Sequence, residues 1–172
     1  PVAAPTGYTG FAHDFGGGDI QQQVTLNPGT YTIVLQWDDN YYSLAEQPGA
    51  QHDFDIYLLD QSGNLLFGYN RKNNWGDPIE VLPFSVSGDY PTVANIMIVR
   101  SWTATNVPVK LKYVVFRGNM TINEFTTGGS TIVGQANSAG AMTVGALLYS
   151  NSAAYGNTPS ISSYSSRGGT AV

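Results

Sequence analysis

The chain contains no cysteine. That excludes disulfides, thiolate metal sites and a cysteine nucleophile, and leaves the redox compartment open. Charge is also scarce. Charged residues make up 11 % of the sequence, and its seven lysines and arginines are scattered rather than clustered. The sequence therefore has no electrostatic footprint for nucleic acid. No apolar run approaches the ~18 residues of a membrane-spanning helix, so no membrane partner is expected. No secretory leader is legible, and the opening Pro-Val-Ala-Ala-Pro reads as the interior of a longer chain. Up to residue 125 no window carries a helical period over about ten residues.

What is present points to strands. Hydrophobic residues reach 42 %, enough for a packed core and too many for a disordered chain. Twenty glycines and eleven tyrosines favour strands joined by turns. Residues 1–17, with "FAHDFGGG", read as a leading loop or linker. "QQVTL" then runs through the turn "NPGT" into "YTIVLQW", where Tyr31, Ile33, Leu35 and Trp37 share one face at period two. "DDNYYSLAEQPGAQ" reads as a long loop. "HDFDIYLLD" follows, with Phe54, Ile56 and Leu58 on one face and Asp53, Asp55, Tyr57 and Leu59 on the other. "QSGN" is a turn and "LLFGYN" a return strand, a hairpin signature. "PIEVLPFSV", "ANIMIVRSW" and "PVKLKYVVFRG" add three more strands. Seven or eight short strands over residues 18–125 predict an all-β fold, an antiparallel β-sandwich or jelly roll. The expected core is Ile33, Leu35, Trp37, Phe54, Ile56, Leu58, Ile96, Ile98, Leu111, Tyr113 and Val115.

The composition changes after Phe125. Residues 126–172 are dominated by Gly, Ser, Ala, Thr and Asn, and Arg167 is their one charge. "AMTVGALLY" reads as a short apolar strand inside this polar stretch. So few large apolar side chains do not make an independent core, so the segment reads as part of something larger.

Two stretches of that segment, "ANSAGAMTVGAL" at 136–147 and "SISSYSSRGG" at 160–169, resemble the subtilisin-like serine peptidases. The first is similar to the family's loop entering a buried Thr/Ala-Val-Gly-Ala strand. The second is similar to its Phe-Ser-Ser-Arg-Gly-Pro turn, with Tyr164 for Phe and Gly169 for Pro. The β-unit has its own resemblance. "TLNPGTYTIVLQW", "HDFDIYLLDQSGNLL", "NIMIVR" and "LKYVVF" look like the pre-peptidase C-terminal jelly-roll domain, which some subtilases carry as an insert in the catalytic domain. The resemblance implies a secreted serine endopeptidase acting on protein or peptide substrates. Residues 126–172 would be a piece of its α/β catalytic domain, and the β-unit would modulate substrate access. The family's Asp and His motifs, its oxyanion Asn motif and its Gly-Thr-Ser-Met-Ala nucleophile segment do not occur here. The implied triad therefore lies outside this sequence, and no catalytic residue is assigned within it. The rival expectation is a stand-alone carbohydrate- or protein-binding β-module with a flexible tail.

Other candidate chemistry is sparse. His13-Asp14 and His52-Asp53 are not catalytic pairs in themselves, because neighbouring residues on a strand point to opposite faces. No Gly-x-Ser-x-Gly elbow occurs. Asp38, Asp39, Asp53 and Asp55 form the densest carboxylate group, leaving one strand and entering another. If those strand ends are neighbours, their oxygens suit Ca²⁺; otherwise they cap loops by accepting backbone N–H bonds. Trp37 sits at a core position. Trp75, between "RKNN" and "GDP", reads as an exposed loop residue, either a packing staple or a stacking platform.

Overall fold

The computed structural model describes residues 2–105, 107–126, 132, 136, 140–162 and 165. The chain divides into two compact units, Pro1–Thr126 and Thr127–Val172.

The first unit is all-β, with every strand pairing antiparallel. Its strands are β1 (Val2–Ala3), β2 (Phe11–Ala12), β3 (Gln22–Leu26), β4 (Gly29–Trp37), β5 (His52–Leu59), β6 (Leu65–Tyr69), β7 (Ile79–Val86), β8 (Thr92–Thr103), β9 (Leu111–Arg117) and β10 (Met120–Ile122). The larger sheet is organised by the long β8. One edge of β8 pairs with β5, which continues to β6; the other edge pairs with β3 and, further along, with β2. The smaller sheet runs β7-β4-β9.

Period-two alternation supplies the core. Along β4, Tyr31, Ile33, Leu35 and Trp37 are buried and the residues between them are half-buried. They pack against Phe54, Ile56 and Leu58 of β5, Ala94, Ile96 and Ile98 of β8, and Leu82 and Phe84 of β7 in one cluster drawn from both sheets. Leu111, Tyr113 and Val115 of β9 lie half-buried against it. Two layers each hydrophobic on one face have to bury those faces together. Two of the connections that carry the chain between the sheets are tight corners, Asn27–Pro28 and Gly118–Asn119. The Tyr31 hydroxyl ties them, lying 2.6 Å from both the Asn27 and the Asn119 carbonyl oxygens.

Two expectations change. Residues 1–17 are no linker: β2 pairs with β8 at Phe11↔Arg100 and Ala12↔Val99, and the His13 N–H donates to the Ile98 carbonyl. Gly10 permits this approach, since a Cβ there would stand 2.1 Å from the Arg100 carbonyl oxygen. Because β8 outruns β3, its free donors and acceptors had to find another partner. Tyr8 and Ile20 then pack on Tyr57, Leu59, Met97 and Val99, covering the outer face of the larger sheet, so every residue of β5 is buried.

The second change concerns "AMTVGALLY". Residues 141–148 form no strand, and Met142 and Val144 are 93 % and 83 % exposed. A single apolar run without a neighbouring strand has no ladder to join. The described residues of the second unit form 3₁₀ turns at Tyr149–Asn151 and Ala153–Tyr155.

Candidate functional site

The chemistry-bearing residues gather where β5 begins. Asp53 and Asp55 alternate with the core residues Phe54 and Ile56, which turns the carboxylates toward the face carrying Tyr57 and Leu59. Between Asp53 and Phe54 the register to β8 slips by one residue, from Trp102 to Arg100. Such a bulge re-aims neighbouring side chains. The loop 70–78 comes alongside: the Trp75 N–H donates to Ala50, the Ala50 N–H donates to Gly76, and the Asn73 N–H donates to Asp53 Oδ1 at 3.0 Å. The Asn73 side-chain amide then donates to the Asp77 and Ile79 carbonyls, fixing where β7 starts. This brings Glu80, from the smaller sheet, to the two aspartates.

Asp53, Asp55 and Glu80 each offer a carboxylate oxygen, and these oxygens all lie within 4.8 Å of one another. All three residues are buried, Glu80 completely. Among the described residues none of the three forms an ion pair with lysine or arginine. Asp55 Oδ2 accepts a bond from the Tyr57 hydroxyl at 3.2 Å. Among the described residues neither Glu80 oxygen meets a donor in bonding geometry, although the Arg71 charge and its backbone N–H both pull the Glu80 pKa down. Burial outweighs them and, with the charges of Asp55 and Asp53, pushes Glu80 up to about 8. Burial and the Asp53 charge push Asp55 up to about 6 against the opposing pull of Ser101 and Tyr57. The Tyr57 hydroxyl is pushed far above its ordinary range by burial and by Asp55. Each shift says that this pocket resists accumulating negative charge.

A cavity of about 430 Å³ reaches the cluster. Asp53, Asp55, Tyr57, Asn74 and Trp102 stand in its wall beside Tyr8 and Lys72. Trp75 is about half exposed and meets Trp102 edge-to-face at 5.4 Å, so it staples the loop to β8.

Of the four aspartates singled out by sequence, the structure brings together only Asp53 and Asp55. Asp38 is exposed. Asp39 Oδ2 accepts from the Trp37 indole N–H at 3.2 Å and from the Gln51 and His52 backbone N–H groups at 2.9 Å. It therefore fastens both ends of the 38–51 loop, which is the capping role. The partner of Asp53 and Asp55 is Glu80, whose place in "PIEVLPF" at a core position was the available signal: a carboxylate where the strand period demands an apolar residue. His52 pairs through Nδ1 with Asp39 at 3.0 Å, and among the described residues its buried Nε2 has no hydrogen-bond partner, so no described serine hydroxyl engages it. Asp14 Oδ1 accepts from the Gly16 and Gly18 N–H groups and caps the "GGG" turn.

No family model matches the chain, and no curated protein matches it. Among the described residues no helix is long and apolar enough to cross a membrane.

Proposed function

We propose that this chain joins a β-sandwich of the pre-peptidase C-terminal jelly-roll type to a slice of a subtilisin-like catalytic domain, and so belongs to a secreted serine endopeptidase. The observation that carries the reading lies in the second unit. The two stretches that resemble subtilases are hydrogen-bonded to each other: the Ala146 N–H donates to the Ser165 hydroxyl oxygen, and the Ser162 N–H donates to the Ala146 carbonyl, both at 2.9 Å. Tyr164, Arg167 and Gly169 of the second motif lie outside the described residues. The exposed Met142 and Val144 suit a strand that a covered parallel sheet would bury. In this reading Ser, His and Asp from flanking sequence hydrolyse peptide bonds, and the β-unit shapes substrate access.

The test is the whole reading frame that encodes this chain. Expressed intact and treated with a fluorophosphonate, it should be labelled on one serine outside these 172 residues, in a Gly-Thr-Ser-Met-Ala context. A frame without flanking Asp, His and Ser motifs, or labelling on a serine within the chain, overturns the reading. The first result would leave a stand-alone binding β-module in its place.

A further inference from the structure

The carboxylate cluster calls for an explanation that is independent of the peptidase reading. Buried polar groups in folded proteins are almost always partnered, and an unpaired buried carboxylate is among the costliest exceptions. Glu80 is 0 % exposed, among the described residues neither of its oxygens has a partner in bonding geometry, the Arg71 N–H included, and it is aimed at two further carboxylates. Packing alone would have placed an apolar residue there, as it does at Leu82 and Phe84 on the same face of β7. Lys72 stands in the cavity wall and the Arg71 charge acts on Glu80. Neither closes an ion pair with the cluster.

We propose that Asp53, Asp55 and Glu80 bind one divalent cation of the calcium class. The oxygen separations fit: Ca–O distances of about 2.3–2.6 Å place ligands on opposite sides of the ion at most about 4.6–5.2 Å apart, and these three are mutually within 4.8 Å. The donor set is all oxygen, which selects a hard cation over zinc or copper. The side-chain oxygen of Asn74, in the wall of the same cavity, is buried and accepts no bond among the described residues, which makes it the candidate for a further ligand. The cavity supplies the path and the waters that complete the shell. The ion joins β5 of the larger sheet to β7 of the smaller one and holds the 70–78 loop on both.

Terbium(III), a luminescent stand-in for calcium, tests this on the full chain after chelator treatment. Tyr57, whose hydroxyl bonds Asp55, and Trp102 in the cavity wall are the sensitisers. Excitation of these rings should give terbium emission that calcium displaces at one ion per chain. Saturating calcium should raise Tm by roughly 5–10 °C. Glu80→Gln and Asp55→Asn, each folded by circular dichroism, should lose emission and the calcium shift at least tenfold in affinity, while Asp38→Asn keeps both. Should one of the two fail to fold, the other decides. Absence of binding at millimolar calcium, unchanged affinity in both ligand variants, or loss in Asp38→Asn overturns the proposal. So does a magnesium response equal to that of calcium.

Discussion

Without a bound cation, the first unit should lose stability as pH rises, and Glu80 should be the main cause. Its carboxyl holds its proton up to about pH 8 in the folded chain, against an ordinary value of 4.5. Between those two values the native state binds more protons than the unfolded state, so the unfolding free energy falls with pH. The contribution is fully present below about pH 4.5, declines through 8 and is flat above. At 1.36 kcal/mol per pH unit the whole loss is about 5 kcal/mol, of which about 4 kcal/mol falls above pH 5, a large share of a typical 5–15 kcal/mol. Asp55, raised to about 6, works in the same direction over a narrower window. His13 opposes: burial lowers its pKa, so its neutral form is favoured in the fold and stability gains as pH climbs toward 6.5. Urea unfolding in chelator from pH 5 to 8.5 would read the balance. Trp37 fluorescence is the reporter, since its ring is buried 5.3 Å from Phe54. With m of about 1–3 kcal/mol/M, the midpoint should fall by roughly 1.3–4 M. Glu80→Gln cannot titrate and should flatten most of the slope, whatever its own stability. Parallel pH profiles for wild type and Glu80→Gln would refute the assignment of Glu80 as the proton-holding group.

Two structural predictions accompany it. Gly118→Ala places a Cβ 2.2 Å from the Tyr31 ring at a residue with φ of +120°; thermal or urea unfolding should show a cost of about 2–4 kcal/mol, and a loss under about 1 kcal/mol would mean that this corner yields freely. Asp39→Ala strips the acceptor from the Gln51, His52 and Trp37 donors and should cost about 2–3 kcal/mol, whereas Asp38→Ala should stay within about 0.5 kcal/mol; equal effects at the two positions would contradict the capping role.

Alternation carried most of the strand reading. Tyr31, Ile33, Leu35 and Trp37 repeat at period two, and only one face of β4 can then be buried, whatever covers it. The hairpin β5–β6 was equally local: Asp60 Oδ1 accepts the Ser62 and Asn64 N–H groups and closes the turn within five residues. The short β1 and β2 had no such signal. Two-residue strands carry no period, and β2 exists because β8 leaves an edge unpaired beyond β3. The apolar run at 141–148 shows the reverse: propensity without a neighbouring strand makes no ladder.

The carboxylate cluster divides in the same way. That Asp53 and Asp55 share a face, two residues apart on a strand, follows from chain chemistry alone. Which third acid joins them does not. Asp39 precedes them closely in sequence, yet it turns to the loop amides beside it. Glu80 is reached only because β7 crosses to the smaller sheet and the Asn73 amide sets its starting point against Asp53. Strand periodicity is a property of consecutive residues and is written in their order. The meeting of β5 with β7 depends on how two sheets pack, and that is settled by the whole set of faces being buried together.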